Sequence, residues 1–217
     1  MFPSECAPSR RNFLKTAAFS AGVSAISLSS QPAFSEDAEI NVIGPKKGYS
    51  PQIGTLVSMM TWMRSAMLRS VKGMLPKDLD YLIDDKANTI GSLLMHLAAT
   101  DRIYQINTFE GNALKELPAS YKEKWGAAME LGDAARKTIK GHDLEYYLNL
   151  LKEVREQTFA EFRKRDDNWL LAVDKEWGWG PTNNYCKWFH VCEHESNHNG
   201  QIKFLRKRVP GAKGDSE

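Results

Sequence analysis

The chain is poor in cysteine: three in 217 residues. Cys6 lies near the N-terminus. Cys186 and Cys192 stand six apart in a segment whose periodicity reads as helix, which puts their Cα atoms roughly 9 Å apart, beyond disulfide reach. A disulfide scaffold is therefore excluded. Neither sign of charge dominates, with 29 Lys and Arg against 27 Asp and Glu, so there is no electrostatic footprint for nucleic acid. The cluster Lys203, Arg206, Lys207 and Arg208 is local and suits a helix C-terminus. No apolar run is long enough to hold a bilayer-spanning helix. An alternating strand of useful length, a 20–50 residue repeat, a Gly-rich phosphate loop and a nucleophile elbow are all missing. What remains, at 42% hydrophobic residues, is a soluble globular composition.

Residues 1–35 read as a targeting segment rather than as part of the fold. Ser9-Arg10-Arg11-Asn12-Phe13-Leu14-Lys15 resembles a twin-arginine export signal. A mildly apolar run, Thr16 to Leu28, follows, then Ala33-Phe34-Ser35, a small-x-small cleavage site before Glu36. No cysteine follows the apolar run, so a lipoprotein anchor is not expected. Loss of Arg10, Arg11, Lys15 and Glu5 with the signal leaves a chain without net charge. A periplasmic location is the expectation.

Residues 36–50 read as an extended leader broken by Gly44-Pro45 and Gly48. Four amphipathic helices are predicted after it. The first runs from about Pro51 to Met74, with Leu56, Met60, Met63, Met67, Val71 and Met74 at three-to-four spacing. The second runs from Thr89 to Phe109, capped by Asn88 or Thr89, with Ile90, Leu93, Leu94, Leu97, Asp101 and Tyr104 on one face. The third covers Asp143 to Lys164 and the fourth Asn184 to Arg208, closed by Pro210-Gly211. Residues 110–141 read as a long crossover, residues 166–183 as a loop rich in Trp and Gly, and residues 209–217 as a frayed tail. The expectation is an all-α four-helix bundle over residues 51–208.

Three of the five histidines fall within His190-Val-Cys-Glu-His-Glu-Ser-Asn-His198. Residues four apart stack on a helix, so His190, His194 and His198 form a ladder, flanked by Val191, Ile202 and Leu205. A structural stack of imidazoles is one reading, but each buried nitrogen then needs a partner. A divalent metal supplies one, and His-x3-His on one helix has ligand spacing.

Two short peptidase patterns also occur here: His194-Glu195-x-x-His198 and His190-x-x-Glu193-His194. Both need a further ligand downstream, and the chain past His198 offers none at a suitable place, Gln201 and Phe204 occupying the positions that matter. A third ligand must come from upstream. His142 sits at a helix start. His96, in Leu94-Met95-His96-Leu97, lies on the flank of an apolar stripe, and with His194 and His198 it would make a three-histidine site with an open position.

Asn183-Asn-Tyr-Cys-Lys-Trp-Phe-His-Val-Cys-Glu-His-Glu-Ser-Asn-His-Asn-Gly-Gln-Ile202 resembles the last-helix signature of the DinB/YfiT-like superfamily. Gly91-Ser-Leu-Leu-Met-His-Leu-Ala-Ala-Thr-Asp-Arg-Ile-Tyr104 resembles its second-helix motif. The resemblance spans about Pro51 to Arg208. It implies a four-helix bundle, often a homodimer, with a divalent metal, zinc or nickel, on His96, His194 and His198. It also places His190 and Glu193 beside the site and gives Asp101 the acidic position that can orient a ligand. Asn199 stands where Arg is usual. Relatives of this kind include transferases that use a low-molecular-weight thiol with a small-molecule substrate. A metal-dependent transferase or hydrolase is thus the leading expectation. A non-catalytic periplasmic metal- or ligand-binding module stands beside it, with a zincin-type peptidase third.

Overall fold

The structure, a computed structural model, describes residues 40–212. The twin-arginine stretch, its cleavage site, Cys6 and residues 213–217 lie outside the described residues. Eight α-helices occur among the described ones. Four are long: α1 (Pro51–Val71), α3 (Ile90–Thr108), α6 (Leu144–Phe162) and α8 (Asn184–Arg206). Four are short: α2 (Pro76–Leu79), α4 (Ala119–Glu130), α5 (Gly132–Thr138) and α7 (Asp167–Leu171). The all-α bundle expected from the periodicity is the architecture found.

The starts of the long helices follow from capping chemistry. Thr89 accepts from Ser92 N, Asp143 from Tyr146 N and Asn183 from Cys186 N, each side chain satisfying a backbone donor the first turn leaves free. α1 instead has Pro51 at its first position, where the missing N–H costs nothing. It stops at Val71, short of the predicted Met74, because Gly73 takes a left-handed φ of 75°; Met74 is buried all the same. Residues 40–50 are not a plain extended leader. They turn back against α1, where Gly44 N donates to Ser58 Oγ at 3.1 Å, and a Cβ at Gly54 would lie 2.4 Å from Lys46 N.

α8 packs against both α1 and α3, and α3 packs against α6; α1 and α6 touch sparingly, and the diagonal pairs α1–α3 and α6–α8 less still. The expected crossover between the second and third long helices contains α4 and α5, with α4 laid along α3. The Trp-rich segment before α8 is α7 followed by a short antiparallel ladder, β1 (Val173–Asp174) with β2 (Thr182–Asn183), pairing Val173 with Asn183 and Asp174 with Thr182. Buried Lys187 Nζ holds that hairpin to α8, donating to Asp174 Oδ2 at 2.7 Å and Asn107 Oδ1 at 2.8 Å, and lies 4.3 Å from the centre of the Trp177 ring. Val209, placed in the frayed tail by sequence, packs against the core.

The apolar interior forms two clusters. One gathers Met67, Leu94, Leu97, Trp125, Leu151 and Ile202; the other Met60, Tyr104, Phe162, Leu170, Trp177 and Trp188. Every long helix contributes one buried charge to a single ion network: Arg64, Asp101, Arg155 and Glu195. Arg155 Nε and Nη2 reach Asp101 Oδ2 at 2.8 Å and Glu195 Oε2 at 2.8 Å. Arg64 pairs with Glu195 and donates to Leu151 O at 2.7 Å. Two cations and two anions cancel, as burial in low dielectric requires.

Candidate metal centre

His96 on α3 meets His194 and His198 on α8. His96 Nε2 and His198 Nε2 each lie 3.1 Å from His194 Nε2, and the three rings offer ligand atoms within 4.8 Å of one another. The i, i+4 spacing aligns the two α8 rings, and the packing of α3 on α8 supplies the third. His96 and His198 are buried and His194 is half-buried.

The orientation of each ring is set from behind. His96 Nδ1 faces Ala128 O at 2.8 Å. A carbonyl only accepts, so Nδ1 carries the proton and Nε2 presents its lone pair. His198 Nδ1 lies 3.0 Å from Gln201 Oε1, with the same consequence. The Ala128 carbonyl is free for this because α4 breaks just after it. Leu131 adopts φ 58° and ψ −152°, a region costly for a non-glycine residue, and Gly132 N, which would have continued the ladder to Ala128, donates to Asn88 Oδ1 at 2.9 Å.

Burial lowers the pKa of His96 to about 4, against the help of its Ala128 bond, with His198 adding to the shift. Burial, then the neighbouring His198 and His96, lowers His194 to about 3. Burial also lowers His198. The cluster is therefore neutral near pH 7. Three neutral imidazoles cannot satisfy one another here. A proton on His194 Nε2 serves only one of its two neighbours, while a proton on Nδ1 is buried without an acceptor among the described residues. Converging lone pairs with no proton to share are a donor set for a cation, and the residues present fit a divalent metal.

His190 lies beside the cluster, its ring centre 5.4 Å from that of His194. Burial holds Tyr104 well above its ordinary pKa, so its hydroxyl keeps its proton, and it shares a hydrogen bond with His190 Nδ1 at 2.8 Å. Trp179 stands edge-on to His190 at 4.9 Å. Glu193 is exposed and makes no hydrogen bond among the described contacts, reaching the cluster only through its charge, which favours protonated His190 and His198. Asp101 binds Arg155 and Arg64, not a histidine. Glu195, the base of the zincin pattern, is turned away into the same ion network. Burial would raise its carboxyl, but Arg64 and Arg155 overcome this and hold it below its ordinary value. His142 stacks on Tyr146 at 3.8 Å, and Cys186 and Cys192 are free thiols.

A family model described as Mycothiol-S-transferase matches residues 55–211, nearly the whole bundle, with all three histidines. The chain belongs to the mycothiol S-transferase family. No curated protein matches it. Among solved structures, the conserved protein of a locus from Enterococcus faecalis superposes with a TM-score of 0.54 at 17% identity, covering 72% of this chain and 95% of that one. At that identity the likeness speaks for the shared helical fold.

Sequence reasoning missed the supports of the cluster more than the cluster itself. Gln201, three residues after His198, was within its reach, since i, i+3 side chains meet. The Ala128 carbonyl, a backbone group freed by a break in a distant helix, left no signal in residue type.

Proposed function

We propose that this mycothiol S-transferase family member is a metal-dependent thiol S-transferase, with His96, His194 and His198 as the ligands of a divalent cation. The observation that carries the reading is the convergence of three Nε2 atoms whose Nδ1 sides are held elsewhere. Zinc or nickel suits an all-imidazole donor set. A cation bound there lowers the pKa of a coordinated low-molecular-weight thiol, so that the thiolate is present at neutral pH. The chain's own residues do the rest. Ala128 O and Gln201 Oε1 keep the Nδ1 protons away from the centre. Tyr104 and His190 form a hydrogen-bonded pair at its edge, with Trp179 edge-on to His190 there. A cavity against His190 and His194 favours turnover over mere metal storage. The engagement of Glu195 by two arginines speaks against the zincin peptidase reading.

The test is metal analysis of purified protein together with thiol transfer from mycothiol, with cysteine and glutathione as comparators. One divalent ion per chain and a mycothiol-dependent rate, both lost in His198→Ala, are expected. A chain that purifies metal-free and takes up no zinc or nickel sinks the proposal.

We also infer export by the twin-arginine route, on the strength of Ser9–Lys15 alone. Replacing Arg10 and Arg11 with Lys is expected to trap the protein in the cytoplasmic fraction; unchanged fractionation refutes export by this route.

A further inference from the structure

The histidine cluster borders a cavity of about 200 Å³ whose walls include Ile103, Leu114, Met129, Trp177, Trp179 and His194. That is the liquid volume of roughly seven waters, room for a single substituted ring. Among the described residues no Lys, Arg, Asp or Glu lines it. Of the polar side chains at its walls, Tyr104 is engaged with His190 Nδ1, and Thr100 Oγ1 with the carbonyl of His96 at 2.9 Å. His194 Nδ1 and Trp177 Nε1 have no partner among the described residues, but both atoms are buried and present no surface to the cavity. A second cavity, about 840 Å³, shares Leu114, Trp177 and Gly178 but is lined also by Asp174, Glu176 and Lys187.

These two chemistries sort the two substrates of a thiol transfer. A low-molecular-weight thiol carries charged or hydroxylated groups, and burying those against walls without free partners is costly. An uncharged apolar molecule gains from the same walls. We propose that the small cavity seats the electrophile, an uncharged and largely apolar molecule, and that it excludes the polar body of the thiol. The proposal rests on the transferase reading and names its second substrate class. In the reaction R–SH + R′–X → R–S–R′ + H⁺ + X⁻ the thiol proton passes to solvent. The S–C bond forms as the C–X bond breaks, and X leaves with the bonding pair.

Two electrophiles isolate charge from shape: 4-chloro-3,5-dinitrobenzotrifluoride and 4-chloro-3,5-dinitrobenzoate, which share ring, nitro positions and leaving group and differ only in the para substituent. With mycothiol and metal-loaded protein, and with each rate divided by its uncatalysed rate, kcat/KM for the neutral compound is expected to be at least 30-fold higher. Leu114→Lys places a cation at a wall position that is 38% exposed, where folding tolerates it, and is expected to narrow that ratio at least 5-fold. Calorimetry with unreactive 2,4-dinitrotoluene reads the cavity without turnover. Binding is expected in both metal-free and loaded protein, and Trp179→Ala, at a residue 57% exposed, is expected to weaken it 5- to 10-fold without changing metal content. Equal or faster turnover of the carboxylate overturns the proposal, as does 2,4-dinitrotoluene binding that is absent or indifferent to Trp179. If no electrophile reacts while the calorimetric result holds, the transferase reading fails and the apolar binding site stands.

Discussion

His96 Nδ1 donates to the carbonyl of Ala128 at 2.8 Å, and this bond joins the candidate metal centre to the break that ends α4. Leu131 carries the break at φ 58°, and the Asn88 side chain takes the amide of Gly132 that would otherwise compete for the same carbonyl. The outer bonds of metal-binding histidines typically govern affinity by 10- to 100-fold.

Removing an outer bond is therefore expected to weaken metal binding without abolishing it. Gln201→Leu deletes the acceptor behind His198, and Asn88→Leu frees Gly132 N to recapture Ala128 O. Each is expected to raise the zinc dissociation constant roughly 10- to 100-fold in competition with a chelator, at unchanged helix content. His198→Ala, which removes a ligand, is expected to lose stoichiometric metal altogether.

Acid is expected to destabilise the metal-free protein in a defined window. His96 and His194 titrate at about 4 and about 3 when folded and near the ordinary value of about 6.5 when unfolded. Between these values the unfolded chain binds more protons, so stability falls as pH falls. Above about pH 7.5 the cluster contributes no pH dependence. Thermal melts of chelated protein are expected to drop by on the order of 5 °C between pH 7 and pH 5, and His194→Gln is expected to flatten the slope. A melting temperature constant across that window would contradict the neutral, buried cluster.

The bundle and the three converging histidines were legible because both rest on periodicity. Apolar residues at three-to-four spacing marked α1, α3, α6 and α8, and the i, i+4 step aligned His194 with His198. The ion network was not legible. Arg64 hides within the Met60–Met67 stripe, and Arg155 beside Val154 and Thr158 reads as a solvated charge. Asp101 was placed on the buried face, yet its partners sit on α1 and α6, and helical spacing carries no information about which helix faces which. The same limit made Glu195 look like a peptidase base: its chain neighbours are histidines, while its spatial neighbours are arginines.

Breaking that network is expected to cost stability and leave the metal site alone. Arg155→Met leaves two buried carboxylates, Asp101 and Glu195, to share Arg64, and removing one partner of such a buried network typically costs about 3–5 kcal/mol. Restoring neutrality with Asp101→Asn in the same chain is expected to recover part of the loss. Metal stoichiometry in whatever fraction folds is expected to stay at the wild-type value, whereas a zincin-type role for Glu195 would make metal-dependent activity collapse in Glu195→Gln even where the fold survives.

α3, the helix that carries His96, meets α6 closely at Gly91. A Cβ built at Gly91 would lie 2.6 Å from Tyr147 Oη and 2.9 Å from its Cζ, so the two helices approach through the bare glycine. Gly91→Ala is expected to cost about 1–3 kcal/mol through overpacking, despite the better helix propensity of Ala. The Tyr147 hydroxyl is itself buried without a partner among the described residues, so Tyr147→Phe is expected to be neutral or to gain up to about 1 kcal/mol. Combining the two should recover part of the Gly91→Ala loss, because the nearest clashing atom is gone, but not all of it, because Cζ remains. Denaturant melts of the four proteins form a double-mutant cycle. A coupling energy of zero would mean that α3 and α6 do not meet through Gly91 and Tyr147.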